Sequence, residues 1–420
     1  MVPRHVVALM ALAVSLLCVP GAMARDGEYT RITEDAGAVR LEVAIRTLAP
    51  AGDGGPKVHL VGVCHIADKA YYDALQQFLD VQDLVLFEGV KPDAEVAANA
   101  SADDASRIRL THQRVRQIGV MVARFQRVHK RLPGSLDECI AELKGPSARL
   151  ARAATKDGWG ACLAYLPTPA AAGDNTRFDV ASYGADGKPG GEGACVDIRL
   201  DAMAPITKEE LAGDEGIQIR LAKALGMEFQ LAAINYDRPN WRNSDLTVDA
   251  LRRRMGEEGG NIDALLGMLS GASLPGKLVG VLLAFIEASP SLAAQTRLML
   301  VEMLGHADEL LAAQSGSLQA LGGEAFFKVL IEERNRVALA DLRSAIEEDP
   351  ARRSIAIFYG AGHLPSMERD LLAQGYTLDS AQWRTAVSVE LAKYPGGPKA
   401  AQGARQMMSR MIAGQAKRGK

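Results

Sequence analysis

The sequence predicts an α/β protein, α+β overall, with a mixed, largely parallel sheet core and many helices, interrupted by a small α+β insert. Three observations carry this expectation. Lys57–Gly89 reads as strand, helix, strand, with Val58, Leu60, Val61 and Val63 opening it and Leu84 to Phe87 closing it. Short β-branched apolar runs of this kind suit strands buried on both faces, and a helix between two of them suits a parallel crossover. Ser354 to Tyr359 is a third such run far along the chain, and residues between the two have a different texture. A chain of 420 residues also exceeds one ordinary core, so more than one folded unit is expected.

Composition excludes little else. With 48% hydrophobic and 24% charged residues the chain is globular, and a net charge of -3 gives no reason to invoke nucleic acid or an anionic membrane. At the N-terminus, Arg4 and His5 precede an apolar run from Val6 to Val19, and Ala22-Met23-Ala24 places small residues at -3 and -1. This pattern predicts a secretory signal over residues 1–24, cut before Arg25, with a retained anchor as the alternative. Leu17 stands where a lipid-attachment site at Cys18 would need a small residue. No later segment reaches the roughly 18 uncharged apolar residues of a spanning helix. The expectation is an exported protein, periplasmic or secreted, without a transmembrane anchor after cleavage. Export permits disulfides among Cys64, Cys139, Cys162 and Cys195. Cys162 with Cys195 is the preferred pair, and an unpaired buried thiol is an equal alternative.

In chain order, Asp26 to Leu48 alternates weakly and suggests an edge strand or hairpin, followed by a Gly/Pro turn to Pro56. In the unit that follows, Ala70, Tyr71, Ala74, Leu75 and Phe78 recur at helical spacing with Asp68 as a possible cap. His65 and Glu88 then fall just past the ends of strands, where open α/β sheets bind ligands. Ala94 to Ala105 is small and polar and reads as a linker or a helix start. Ile108 to Lys130 carries a basic amphipathic helix whose Ile108, Val115, Ile118, Met121, Val122 and Phe125 share one side; its basic residues suit a solvated face, since the single aromatic lies on the apolar side. Leu132-Pro133-Gly134 ends it, and a short helix follows from Leu136 to Leu143.

Phe178, Val180 and Tyr183 suit a strand, after which Gly184 to Gly193 packs five glycines around Asp186 and Glu192, with Asp197 closing the stretch. Carboxylates beside exposed backbone carbonyls suit Ca²⁺, and a solvent-exposed turn is the plainer reading. From Thr207 the chain becomes helical, with a polar-aromatic patch from Gln230 to Leu246 in which Ser244 could cap the next helix. Asn261 to Leu321 reads as two or three core helices, and Glu324 to Glu347 as one long helix containing Glu332-Glu333-Arg334-Asn335. Ser354 to Tyr359 runs into Gly360-Ala361-Gly362-His363, which repeats the Gly-x-x-His punctuation of Gly62 to His65. Ala386 to Leu391 suits a last strand, and residues 396–420 read as a basic mobile tail.

Two strand-end histidines with the Glu88 carboxylate make a set suited to a divalent transition metal with open positions. Glu333 could add a ligand or a general base, and Arg334 could bind an oxyanion; an ordinary solvated helix face is the alternative for that pair. The glycines are expected to allow a sharp turn and leave room above the sheet.

Two family resemblances sharpen these expectations. Ser106 to Leu200 resembles the C-terminal domain of the major pseudopilin of type II secretion systems, general secretion pathway protein G. The match rests on Asp157, Trp159 and Gly160, on Ser182 to Gly187, on Gly190 to Gly193, and on Asp197-Ile198. The resemblance implies a calcium-stabilised loop with carboxylates from Asp186 and Asp197, and possible type II secretion partners. No processed apolar helix directly precedes this domain, unlike in an ordinary pseudopilus subunit. The outer parts, Val58 to Gly89 and Gly226 to Leu391, resemble the TraB/GumN family with its Tiki-type proteases, through Gly62 to His65, Glu88, Glu333 to Asn335 and Gly360 to His363. That resemblance implies metal-dependent hydrolysis of a peptide or protein substrate. His65, Glu88 and His363 become metal or catalytic residues, Glu333 and Arg334 support them, and Cys64 leaves thiol chemistry as a minor option. The expected organisation is a core from 26–102 and 202–395 with an insert over 104–200. A non-enzymatic binding protein that uses the insert to engage secretion machinery is the rival reading.

Overall fold

The computed structural model describes residues 29–52, 54–89, 103–143, 145–168, 177–207, 210–211, 217–258, 283, 286–306 and 328–416. The expected signal segment lies outside them, as does most of 261–321, the stretch expected to be helical. Two compact units result: Met1–Gly89 with Glu215–Leu246 and Ala250–Lys420, and Val90–Asp214 with Thr247–Asp249.

The first unit is built on a mixed sheet. Its strands are β1 (Thr30–Glu34), β2 (Ala38–Pro50), β3 (Lys57–Val63), β4 (Leu84–Phe87), β5 (Trp241–Asn243), β6 (Ser354–Gly360) and β7 (Tyr376–Glu390). The order is β1-β2-β3-β6-β4-β5, with β7 also pairing β2. β3, β6, β4 and β5 run parallel, while β1, β2 and β7 pair antiparallel. The α/β expectation is met. The strand neighbours, however, differ from the simplest reading of Lys57–Gly89, because β6 lies between β3 and β4. His65 and Glu88 therefore flank the strand that leads to His363. The hairpin expected near residues 26–48 is β1 and β2, and β2 is an internal strand.

Alternate residues explain why these runs are apolar on both faces. Val58, Leu60, Leu84, Leu86, Ile355, Ile357 and Tyr359 pack with Leu339, Leu342, Leu364 and Met367 from the helices Arg334–Glu348 and Leu364–Ala373. Val61, Val63, Val85, Phe87, Ala356 and Phe358 face the other way, toward Tyr71, Tyr72, Leu75 and Leu79 of the helix Lys69–Asp80 and toward the helix Pro290–Gly305. Helices thus cover both faces, as a parallel sheet requires. Phe87, Tyr236, Trp241 and Phe358 form an aromatic cluster with centroid separations of 5.0 Å (Phe87–Tyr236), 5.5 Å (Tyr236–Trp241) and 6.0 Å (Trp241–Phe358). Such pairs contribute about 0.5–1.5 kcal/mol each beyond burial, which stiffens the sheet below the strand ends.

Several local expectations are corrected. Asp68 stands at the cap position of Lys69–Asp80 without a side-chain bond to the helix; its carboxylate accepts from Arg297 and from the Ser388 N–H instead. Ser244 does not cap: its hydroxyl donates to Asp341 at 2.7 Å. The stretch read as a mobile tail folds as a helix, Gly397–Ala416, burying Ala401 and Ile412. Arg405 on that helix pairs with Glu302, which is buried, and with Glu34. Composition suggests a tail because the segment is basic and Gly/Ala-rich, yet Ala401, Ala404, Met408 and Ile412 pack on the core.

The second unit packs the long helix Asp104–His129 against a three-stranded antiparallel sheet of Ala164–Thr168, Arg177–Ser182 and Ile198–Arg199. Val115, Ile118, Val122 and Phe125 supply the helix side of its core, as the periodicity predicts. Asp103 caps the helix by accepting from Ser106 N at 2.8 Å, and Lys130 ends it with a left-handed φ of 57°. No disulfide joins Cys64, Cys139, Cys162 or Cys195, so the Cys162–Cys195 pairing is not formed. Among the described residues no helix is long and apolar enough to cross a membrane.

Candidate functional site

The sheet brings His65, Glu88, Arg334 and His363 together at the carboxyl ends of β3, β4 and β6. The parallel ladder itself sets Glu88, whose N–H donates to Phe358 O at 2.9 Å. Its Oε2 then accepts from Gly360 N at 2.6 Å, and its Oε1 accepts from Arg334 Nη2 at 2.7 Å. His363 Nε2 lies 3.7 Å from Glu88 Oε1 and 3.5 Å from Arg334 Nη1. His363 is buried, while His65 and Glu88 remain partly exposed, so the cluster meets solvent on their side.

The glycines contribute space rather than unusual backbone. Neither Gly62 nor Gly360 has a positive φ. A Cβ on Gly62 would stand 2.7 Å from Val43 Cγ1. One on Gly360 would stand 3.3 Å from Glu88 Oε2, 3.7 Å from His363 Cδ2 and 3.8 Å from His65 Nε2. The room at Gly360 is therefore shared by all three groups.

Arg334 owes its place to two features. A π-helical turn, Lys328–Glu333, widens the helix just before it, and the next two residues, Arg334 and Asn335, are both buried. Asp245 then grips the guanidinium, accepting from Nε at 2.8 Å and Nη2 at 2.6 Å. Asp245 also accepts from Gly89 N at 3.0 Å and Leu246 N at 2.7 Å, which ties the arginine to the end of β4. Burial alone would favour a neutral guanidine, but the Asp245 and Glu88 charges outweigh it and keep Arg334 cationic. Burial likewise opposes ionisation of Glu88; Arg334, the imidazoles and the Gly360 N–H overcome it and hold the carboxyl well below its usual range. His363 is pushed down to about 4, chiefly by burial, so it is neutral near pH 7.

Glu333 is not part of this cluster. Its carboxylate pairs with Arg254 and Arg336. It is one helical step from Arg334, and that turn of about 100° sends its side chain elsewhere. Cys64 is buried in the apolar cluster with Tyr71 and Tyr72, which removes it from contact with a dissolved substrate. Three residues that complete the arrangement were not singled out for the site from sequence: Asp245, Gln230 and Asn335. The polar-aromatic texture of Gln230 to Leu246 was the signal for the first two, and the Glu-Arg-Asn run contained the third.

Two imidazoles and one ionised carboxylate adjoin the same gap, each carboxylate oxygen retains a second lone pair, and two carboxyl groups share a single guanidinium. Among the described residues no group of three or more His, Cys, Asp or Glu side chains is placed so that it could hold a metal ion.

In the second unit, Asp186 and Asp197 share the Gly-rich loop. Asp186 Oδ1 accepts from Lys188 N at 3.2 Å and Asp197 Oδ1 from Gly190 N at 3.0 Å. Gly184 has a φ of 65°, and a Cβ there would stand 2.6 Å from the Cys195 carbonyl carbon, so both conformation and space demand glycine. Asp157 organises the approach: Oδ1 accepts from Trp159 N and Ala161 N, and Oδ2 from the Ser182 hydroxyl at 2.7 Å.

Residues 100–201 match the family model of the type II secretion system (T2SS), protein G. The matched segment is a minority of the chain and falls within the second unit. It supports the pseudopilin-like insert and links that part of the protein to type II secretion. Neither the curated proteins nor the solved structures compared with the chain give a match.

Proposed function

We propose that the protein is an exported metal-dependent hydrolase of the TraB/GumN type, acting on peptides or proteins, with a calcium-binding pseudopilin-like domain inserted in its chain. The observation that supports the enzymatic reading is the gap at Gly360, onto which His65, Glu88 and His363 all border. His65, Glu88 and His363 would hold the ion. When bound, such an ion polarises a scissile carbonyl and lowers the pKa of water near it. Arg334 keeps Glu88 ionised and oriented. Its Nη1 makes only long contacts, 3.4 Å to Leu330 O and 3.5 Å to His363, and so remains available to a developing oxyanion. Partial exposure of His65 and Glu88 gives the substrate its side of approach. Elemental analysis of the purified protein tests this: wild type retains a divalent transition ion, and His65→Ala and His363→Ala lose it. Full occupancy in both variants would end the assignment.

The family match favours a second reading, in which the protein is a non-enzymatic extracytoplasmic binding protein that engages secretion components through residues 104–200. Deleting Asp104–Leu200 would then abolish partner capture and impair secretion while the histidine variants secrete normally. In either reading Asp186 and Asp197, with nearby backbone carbonyls, are the proposed Ca²⁺ ligands. Excess Ca²⁺ should raise the melting temperature of the second unit by linkage, and no shift between Ca²⁺ and chelator counts against the site.

A further inference from the structure

The two histidines of the cluster are each held from behind by a side-chain amide. His65 Nδ1 lies 2.6 Å from Gln230 Oε1, and His363 Nδ1 lies 2.6 Å from Asn335 Oδ1. The orientation of Asn335 is fixed independently. Its Nδ2 donates to the His363 carbonyl oxygen at 3.1 Å and to Ser366 Oγ at 2.6 Å, and a carbonyl can only accept. Oδ1 must therefore face the imidazole, and an oxygen 2.6 Å from a ring nitrogen requires that nitrogen to carry the proton. Gln230 is arranged in the same sense: its Nε2 donates to Tyr236 Oη at 2.9 Å, which leaves Oε1 toward His65. The chain around Gln230 is in turn fastened to the histidine it serves. Ile66–Ala67 pairs antiparallel with Glu228–Phe229, and Gln230 N donates to the His65 carbonyl at 2.9 Å.

We infer that Gln230 and Asn335 are positioning residues that fix His65 and His363 as their Nδ1–H tautomers, leaving both Nε2 atoms unprotonated, that of His65 at the gap beside Gly360 and that of His363 beside Glu88 and Arg334. A free neutral imidazole favours the Nε2–H form, which would present a donor there and repel a cation. The amide pair reverses that preference at both histidines by the same device, although Gln230 and Asn335 come from different elements. An amide oxygen achieves this without adding charge, whereas a carboxylate behind each ring would make the ring more basic. The inference rests on the reading of His65 and His363 as the bases of one site.

The test is ¹⁵N NMR of full-length, metal-free, histidine-labelled protein at neutral pH, with each ring assigned by substitution. The expected result is a protonated Nδ1 and an unprotonated Nε2 at both His65 and His363. Gln230→Leu should shift only His65 toward the Nε2–H form, and Asn335→Leu only His363. Gln230→Glu and Asn335→Asp, which keep an acceptor, should retain the Nδ1–H form and guard against a folding artefact in the leucine variants. Titration with Zn²⁺ supplies a second readout: affinity should fall about 10–100-fold in the leucine variants and recover in the acidic ones. Nε2–H tautomers in the wild type, or tautomers unmoved by the leucine substitutions, would overturn the inference. Nδ1–H tautomers in a protein that binds no Zn²⁺ would uphold it and refute the metal reading; Zn²⁺ binding by Nε2–H histidines would do the reverse.

Discussion

Removing the Asp245 carboxylate should cost the first unit far more than an ordinary surface change. Asp245→Ala strips acceptors from four N–H groups at once: Arg334 Nε and Nη2, Gly89 N and Leu246 N. Arg334 would keep Glu88 but lose its two-point grip inside a buried pocket. Breaking a buried ion pair by removing one partner typically costs about 3–5 kcal/mol, because the remaining charge cannot be resolvated. The other unsatisfied N–H groups do not add in full, since some relaxation admits water, so about 4 kcal/mol is expected. Urea unfolding followed by tryptophan fluorescence measures it, in a Trp159→Phe background so that Trp241 and Trp383 report on the first unit. The companion is Arg334→Met with Asp245→Ala, which removes the stranded cation as well. The double variant should be at least about 2 kcal/mol more stable than the sum of the two single losses predicts. A single-variant loss under about 1 kcal/mol, or simple additivity, would refute the account of Asp245 as the counter-charge that seats Arg334.

Three further outcomes follow from particular contacts. His363 titrates at about 4 in the folded chain against roughly 6.5 unfolded, so the unfolded state binds the proton first as pH falls. Stability of the metal-free protein should therefore decline from pH 6.5 to 4 by about 3 kcal/mol, and a His363→Gln variant should lack that slope in urea titrations across the range. Gly360→Ala should fold normally, because a φ of -49° suits alanine, yet its methyl would enter the gap beside Glu88, His363 and His65. Calorimetry should find Zn²⁺ binding weakened at least about tenfold with the melting temperature nearly unchanged. Arg405→Met should cost about 3 kcal/mol by stranding the buried Glu302 carboxylate, whereas the exposed Arg410→Ala should stay within about 0.5 kcal/mol by the same denaturation assay.

What the sequence revealed was set by local pattern. Val58 to Val63, Leu84 to Phe87 and Ile355 to Tyr359 are apolar at nearly every position that faces a helix layer, His59 against Phe78 being the exception, so their strands were legible. The repeated Gly-x-x-His punctuation marked His65 and His363 for the same reason: each sits where a buried strand meets solvent. The strand order was not legible, because nothing local in β6 states that it inserts between β3 and β4. Asp245 escaped notice because its role depends on a guanidinium 89 positions away in sequence. The place of Glu333 was not legible because helical neighbours point apart and its partners Arg254 and Arg336 are set by the fold, and the π-helical turn that precedes Arg334 and Asn335 has no periodic signature. The C-terminal helix reads as a tail because its segment is basic and Gly/Ala-rich, and the stripe that docks it, Ala401, Ala404, Met408 and Ile412, is narrow.

The central claim is that His65, Glu88 and His363 form one metal-dependent hydrolytic centre. Cleavage of a peptide library by the full-length protein, with chelator and then with the stripped metal restored, tests it most directly against Glu88→Gln, which keeps the shape of the side chain and removes its charge. The account predicts cleavage by wild type that is lost with chelator, returns with metal, and is absent in Glu88→Gln at every metal concentration. Cleavage indifferent to chelator and undiminished in Glu88→Gln would contradict it.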